Sequence, residues 1–113
     1  MLKQRFLGFL GLLYKGGKIT IGNKVLEEKH LALVICPTDL SSGESERILT
    51  KLTNREVEIL KIFTSNELGL PFGKSEIHFI GIRDNKTAKI VKEKGRSAYE
   101  EEQQLSREEA KHG

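Results

Sequence analysis

Apolar side chains recur every three or four residues over positions 2–14, which is the spacing of one face of an α-helix. Gly16 and Gly17 follow, and glycine readily adopts the left-handed conformation that ends many helices. The pattern therefore predicts a first helix over 2–14. The β-branched run at 19–21 predicts a short strand immediately after the two glycines.

The next segment predicts a turn and a buried strand. Gly22 and Asn23 offer a turn and an N-cap for a brief helix through about Lys29. A continuous apolar run at 31–36 then ends at Pro37. Such a run is typical of a strand that is buried on both faces, so we expect it to lie in the centre of a sheet.

A capping box marks the start of the following helix. The Ser41 oxygen can accept an amide hydrogen bond while Glu44 reaches back, which predicts a helix to about Asn54. Its expected inward residues are Ile48, Leu49 and Leu52. Further aliphatic residues over 57–62 predict another strand.

The remaining chain predicts a short helix, a last strand and a last helix. The short helix begins at Ser65 and cannot continue far beyond Pro71. A strand is predicted over 77–82, and Asp84 caps the final helix. Gly95 is expected to interrupt that helix, and the charged residues beyond it predict a solvated helix or a disordered tail.

Strands that alternate with helices across short connections favour a helix–sheet–helix sandwich over a bundle or a barrel. With 113 residues, the chain has room for a single core. We assign 1–94 to one α/β domain and 95–113 to a charged C-terminal extension.

Cysteine content and hydropathy bear on the compartment. Cys36 is the single cysteine, so no internal disulfide is possible, and its apolar neighbours predict a buried thiol. The apolar stretch at 6–14 is about half the roughly 20 residues that span a bilayer, and no small-residue cleavage site follows it. These features favour a cytoplasmic protein without a signal peptide or a membrane partner.

The sequence contains no constellation for catalysis. The segment 69–75 ends in Gly-Lys-Ser, but a phosphate loop would need glycine at Leu68, and Lys74 leads into a strand rather than a helix. The three histidines, His30, His78 and His112, lie in three separate elements. We expect His78 to point off one sheet face, and we expect no enzyme activity, cofactor or metal site.

Positive charge is concentrated in the N-terminal quarter of the chain. Residues 1–30 carry six Lys and Arg against two Glu, a net charge of +4, whereas 31–83 carry −1 and 84–113 carry zero. A positive patch attracts a polyanion because binding releases counterions. The distribution therefore makes nucleic acid a reasonable partner.

Two glycine-containing turns hold lysines in this basic quarter. Lys15 and Lys18 flank the first, and Gly22, Asn23 and Lys24 form the second. Free amides and Lys side chains can converge there on phosphate oxygens. A helix C-cap and a turn with solvated lysines are an equally good interpretation.

Asp39 stands between the buried strand and the helix that follows it. It could be a functional carboxylate at the carboxyl edge of the sheet. The favoured interpretation is structural, because an Asp beside Ser41 and Ser42 commonly satisfies free amides at a helix start.

Taken in order, these motifs resemble those of the bacterial YlxQ-like proteins, which belong to the superfamily of kink-turn-binding ribosomal proteins of the L-seven-Ae type. The resemblance covers roughly residues 7–91. The matching residues are Leu10-Gly11-Leu12, Gly16-Gly17-Lys18, Ile21-Gly22, Leu33-Val34-Ile35 with Thr38-Asp39 and Ser41, Glu67-Leu68-Gly69 with Gly73-Lys74, and Gly81-Ile82 with Asp84.

The resemblance implies a three-layer α-β-α sandwich with a four-stranded mixed sheet, no enzyme activity, and binding to structured RNA in or near the ribosome. It also assigns RNA contacts to the turn entering the second helix, to the loop before the last strand and to the Asp after the buried strand. The residues so assigned are Gly22, Asn23, Lys24, Asp39, Lys74, Ser75 and Glu76. The charge pattern adds Lys15 and Lys18.

The leading hypothesis is thus a non-catalytic protein that binds structured, kink-turn-like RNA, with ribosomal RNA and ribosomal or translation-associated proteins as expected partners. The alternative is a protein-interaction module that kept this fold after losing its RNA site. Glu27, Glu28 and the acidic triplet 100–102 favour the alternative.

Overall fold

The computed structural model describes residues 1–52 and 55–112 of the chain. Helices and strands alternate along these residues, and two 3-10 helices, η1 and η2, join them. In chain order the elements are α1 (Leu2–Lys15), β1 (Ile19–Ile21), η1 (Asn23–Glu27), β2 (Leu33–Cys36), α2 (Ser42–Leu52), β3 (Glu58–Lys61), α3 (Ser65–Gly69), η2 (Leu70–Phe72), β4 (Ile80–Ile82) and α4 (Asn85–His112).

The strands form one mixed sheet in the order β1-β4-β2-β3. β4 is antiparallel to both of its neighbours, and β2 is parallel to β3. Every residue of β2 is buried, which confirms the central position expected from its unbroken apolar run.

Each face of the sheet is covered by its own apolar cluster. On one face α1, α3 and α4 contribute to a cluster around Phe6, Leu10, Leu68 and Val91. On the other face η1 and α2 pack around Val25, Leu26, Ile48 and Leu52. The protein is therefore the three-layer α-β-α sandwich with a four-stranded mixed sheet that the sequence predicts.

A glycine in β4 lets η1 lie flat on the sheet. A Cβ at Gly81 would come within 2.8 Å of Val25 Cγ1 and 2.9 Å of Leu31 Cδ2. The missing side chain therefore allows η1 to approach β4 closely, and this contact positions the residues that begin η1.

The boundary and burial predictions for two elements need correction. Leu49 was expected to face inward but is 62% exposed, because only Ile48 and Leu52, one helical turn apart, fit the buried face of α2. The helix is described to Leu52, and its expected end at Asn54 lies outside the described residues. The last strand begins at Ile80 rather than at residue 77, because the Ile77 amide donates to the Ser65 carbonyl at the start of α3 instead of to a strand.

The expected interruption at Gly95 is wrong, since α4 runs without a break through this position. A Cβ there would lie 3.0 Å from both Phe6 Cζ and Ile62 Cδ1 and 3.2 Å from Leu60 Cδ2. Gly95 thus lets α4 approach α1 and the sheet closely. The segment beyond it is helical, and its Ala98 is 1% exposed.

Cys36 is buried, as expected, and burial raises the pKa of its thiol to about 11.

Within the described residues, no helix combines the length and the apolar composition needed to cross a bilayer.

Candidate functional site

Two of the predicted segments meet across a surface groove of about 550 Å³. One wall is the start of η1, the other is the loop before β4, and the end of α1 closes one side. The residues that line the groove are Tyr14, Ile21, Gly22, Asn23, Lys24, Lys74, Glu76, Ile77, His78 and Phe79.

The first wall is set by a glycine turn anchored to the other. Gly22 has a φ of 83°, a left-handed conformation that disfavours any residue with a Cβ. Its amide donates to the Phe79 carbonyl at 2.9 Å, and its carbonyl accepts from the Val25 amide at 3.1 Å. The turn therefore presents Asn23 and Lys24, both exposed, on the rim of the groove.

The second wall lies directly on the end of α3. The Lys74 amide donates to the Gly69 carbonyl at 3.1 Å, and Gly73, at a φ of 67°, turns the chain there. A Cβ at Gly69 would come within 2.5 Å of the Lys74 carbonyl oxygen. Gly69 is therefore required for the loop that carries Lys74 and Glu76 to stand where it does.

An aromatic ring that the sequence analysis did not single out lines the groove. Tyr14, at the end of α1, is 43% exposed, and its ring meets Phe72 edge-on with 5.2 Å between centroids. This packing holds the ring in place while leaving part of it accessible to a ligand. The sequence feature that could have identified Tyr14 as a candidate is its position directly before Lys15, in the basic N-terminal quarter of the chain.

His78 also lines the groove, although it was expected only to point off a sheet face. It precedes β4, and its Nδ1 lies 2.6 Å from Glu44 Oε2 of α2. Its Nε2 lies 3.8 Å from Glu76 Oε2. The imidazole thus connects the loop before β4 to α2.

The two carboxylates that follow Lys24 point away from the groove. Glu27 Oε1 lies 3.9 Å from the Lys51 ammonium on α2. Glu28 Oε1 accepts a hydrogen bond from the Thr20 hydroxyl at 2.9 Å. Neither lines the groove, so the positive charges there are not neutralised by these two residues.

Three other predicted residues are exposed but do not line the groove. Ser75 stands between two residues that do. Lys15 is the last residue of α1, directly after the groove-lining Tyr14, and Lys18 precedes β1, at the opposite end of that strand from Gly22. The structure therefore brings together Gly22, Asn23, Lys24, Lys74 and Glu76, whereas Lys15 and Lys18 do not line the groove.

Asp39 connects the loop after β2 to the start of α3. Its Oδ1 accepts from the Ser65 amide at 2.9 Å, and its Oδ2 accepts from the Ser65 hydroxyl at 3.0 Å. This is the amide-satisfying role that the sequence favoured, although the helix is α3 rather than the adjacent α2. Asp39 is not among the groove-lining residues, and its assignment to RNA stays a prediction.

The Asp39 contact predicts a pH-dependent contribution to stability. Its pKa is lowered, first by the hydrogen bond from the Ser65 amide, so the contribution is present above the pKa of the unfolded chain, about 3.9. It is lost as the pH falls through the lower folded-state pKa. We expect Asp39→Asn to lower the free energy of unfolding by about 1 kcal/mol or less at pH 7, because the carboxylate is exposed to solvent.

Urea denaturation at pH 7 and near pH 3 checks this expectation. The difference between Asp39→Asn and the native protein should shrink at the acidic pH. Glu46→Gln serves as the control, because it neutralises an exposed carboxylate on α2, and it should change the free energy of unfolding little at either pH. A difference for Asp39→Asn that does not depend on pH would contradict the assigned role of its charge.

Within residues 1–52 and 55–112, no three His, Cys, Asp or Glu side chains come together in a group that could hold a metal ion. What the groove offers is a set of binding groups: two ammonium groups, an amide side chain, an exposed phenol ring, an imidazole and a carboxylate.

The chain matches no protein-family model and none of the curated proteins. Solved structures do match it. A protein with unknown function from Bacillus halodurans aligns with a TM-score of 0.65 and 22% identity over 76% of this chain and 91% of that one. The 15.5kD RNA binding protein of Giardia lamblia aligns with a TM-score of 0.60 and 19% identity over 88% of each chain. At these identities the likeness shows the fold, which this chain shares with both proteins.

Proposed function

We propose that this protein binds structured RNA at the groove and catalyses no reaction. The observation that carries the proposal is the convergence of Lys24 and Lys74, from distant parts of the chain, beside Asn23 and an exposed Tyr14 ring. The fold shared with the Giardia RNA binding protein supports it.

Five of the groups in the groove have roles that RNA chemistry explains. The two lysines contact phosphate oxygens, which position the backbone without reading sequence. The Asn23 amide and the Glu76 carboxylate offer hydrogen bonds to the edges of unpaired bases, and the Tyr14 ring offers a face on which a base stacks. Such a set suits a bend or bulge, where bases are unstacked, better than a regular duplex.

The finer proposal is a kink-turn-like RNA in or near the ribosome, with ribosomal or translation-associated proteins as neighbours. The resemblance to the YlxQ-like proteins supports it, because the turn at Gly22 and the loop at Lys74 are two of the three places that it assigns to RNA, the third being Asp39. The groove unites those two segments.

The test is a titration of a kink-turn RNA and of a straight duplex of equal length at two salt concentrations. We expect the kink-turn to bind more tightly, and Lys24→Ala/Lys74→Ala to weaken its binding by tenfold or more. The slope of log affinity against log salt should fall by about 1.5, since each lost phosphate contact removes about 0.7 to 0.9.

Arg47→Ala/Lys61→Ala is the matched control, because it removes the same charge from α2 and β3, away from the groove. At the higher salt concentration, where charges are screened, it should change the affinity for RNA by less than about twofold. Equal affinity for bent and straight RNA would contradict kink-turn recognition. A groove variant that binds like the native protein would contradict the site.

The acidic triplet that favoured a protein-interaction module is partly used inside the fold. Glu101 Oε1 accepts from the Leu2 amide at 3.1 Å, and Glu102 Oε1 accepts from the Lys3 ammonium at 2.8 Å. Two carboxylates of the triplet therefore hold α4 to the start of α1, which accounts for them without a protein partner. Partners captured from cells after nuclease treatment, and lost on removal of residues 103–113, would favour that alternative.

A further inference from the structure

A second cluster of positive charge lies at the other end of the β1–β4 pair. Its members are Lys18, Arg83 and Lys86, which we call the edge patch; all three are exposed. We propose that the edge patch is a second RNA-contacting surface, which binds the phosphate backbone of a stem that adjoins the segment held in the groove. The inference rests on the proposed function and extends it.

Strand pairing sets two of the three cations side by side. Ile19 is paired with Ile82, so Lys18 and Arg83, the residues just outside this pair, are neighbours. The Arg83 Nη2 also donates to the Gly17 carbonyl at 3.1 Å, which fixes the guanidinium against the turn before β1. The patch is therefore held by the backbone at this end of the strand pair.

Lys86 completes the patch from the first turn of α4. The acidic residue among the three cations is Asp84, whose Oδ2 already accepts from the Thr87 amide at 2.8 Å and hydroxyl at 2.7 Å. Its pKa is lowered by those Thr87 hydrogen bonds first and further by the charges of Lys18 and Lys86. The three cations outnumber this carboxylate, so the patch keeps a net positive charge.

The distance between patch and groove corresponds to a few nucleotides along a helical stem. Lys18 and Gly22 are four residues apart along β1, which is about 13 Å at roughly 3.3 Å per residue. One strand of B-DNA places a phosphate about every 3.4 Å along its axis, and an A-form RNA stem rises less per nucleotide, so the two surfaces lie at least about four nucleotides apart along such a stem. β1 is an edge strand of the sheet, so the path between them runs along one side of the molecule.

The chemistry of the patch indicates a backbone contact rather than base reading. Its groups are ammonium and guanidinium ions, which bind phosphate, and the residues that form it include no aromatic ring or side-chain amide. We therefore expect the patch to add affinity and salt dependence without sequence preference.

Lys18→Gln/Lys86→Gln tests the inference; Arg83 is left intact because it supports the Gly17 turn. The probes are a kink-turn RNA with two long stems and two versions, each with one stem trimmed by about six base pairs. With the long RNA, we expect five- to thirty-fold weaker binding and a salt slope reduced by about 1.5. With one of the trimmed RNAs, the double substitution should have less than a twofold effect.

Arg47→Gln/Lys61→Gln carries the same charge change on α2 and β3 and should leave binding of the long RNA within about twofold. An equal loss in this control, or an equal loss with all three RNAs, overturns the edge patch. Native-like binding by Lys18→Gln/Lys86→Gln also overturns the edge patch. If Lys24→Ala/Lys74→Ala still loses affinity in that case, the proposed RNA site in the groove stands. If the groove variant binds like the native protein, or the native protein binds no RNA, the proposed function and the edge patch are both wrong.

Discussion

Replacing Gly69 by alanine is expected to lower the free energy of unfolding by about 2 kcal/mol and to weaken the proposed RNA binding. The added Cβ would meet the Lys74 carbonyl oxygen at 2.5 Å and the Glu76 amide nitrogen at 3.1 Å. Both are backbone atoms, so neither can swing aside as the end of a side chain can. The cost is either a strained contact or a displaced loop.

The backbone at Gly69 is ordinary right-handed helix, with a φ of −75° and a ψ of −25°. Alanine adopts this conformation freely, so the expected loss comes from the lack of space and not from the conformational freedom of glycine. A displaced loop would move Lys74 and Glu76 out of the groove, which is why affinity and stability should fall together.

Gly8→Ala is the matched control, because the same methyl group added in α1 meets no atom within 4 Å. There alanine should raise the free energy of unfolding by up to about 1 kcal/mol, since it favours the helix. Urea denaturation of both variants and an RNA titration measure the two effects. A Gly69→Ala protein with native stability and native affinity would show that the loop yields without cost.

The features that the sequence predicted well depend on neighbouring residues. The helical stripe of α1, the unbroken apolar run of β2 and the Asp84 cap of α4 are local patterns, and each element stands near its predicted place. The capping box at Ser41 forms in part: the Glu44 amide donates to the Ser41 hydroxyl at 3.2 Å, and that hydroxyl donates to Glu44 Oε1 at 3.4 Å, so the return contact of Glu44 is made with the hydroxyl.

The features that it missed depend on contacts between distant residues. Gly95 has the local signature of a helix break, and only the proximity of Phe6 and Ile62 reveals that it is a packing position. Tyr14 belongs to a helix pattern, and its place in the groove follows from packing against Phe72. Composition and periodicity do not indicate contacts between residues that are distant in the sequence.

The candidate site was only partly predictable, because its segments are local motifs while their arrangement depends on contacts between distant residues. Its two walls were assigned through the resemblance, and the structure brings Asn23 and Lys74 into one groove. The division of the basic residues was not predictable, because Lys18 and Lys24 are near in sequence while β1 sets them at its two ends. The edge patch appears only once the pairing of β1 with β4 brings Arg83, the residue after β4, beside Lys18.

Ending the chain after Lys94 is expected to lower the free energy of unfolding by about 3 kcal/mol, although a domain boundary at this point was predicted. The removed segment contains Ala98, which is 1% exposed, and Tyr99, whose ring meets Phe63 edge-on at 5.7 Å. Losing a largely buried aromatic contact costs about 2 to 3 kcal/mol. Removing Glu102 from the Lys3 ammonium adds at most about 1 kcal/mol, because that ion pair is partly exposed.

Ending the chain after Leu105 is the matched truncation, because residues 106–108 are exposed. It should change the free energy of unfolding by less than about 0.5 kcal/mol. Urea denaturation of both proteins gives the comparison. If the shorter chain does not fold, Tyr99→Ala in the full chain still tests the claim, with an expected loss of about 2 kcal/mol.

A chain of residues 1–94 with native stability would establish the predicted boundary and reduce α4 beyond Gly95 to an appendage. The contacts argue for the opposite result. Gly95, Ala98 and Tyr99 stand on the side of α4 that meets α1 and β3, where Phe6 and Phe63 are only 2% and 3% exposed. Without that side of the helix both rings would face water, so the sandwich needs α4 as far as Tyr99 to complete its core.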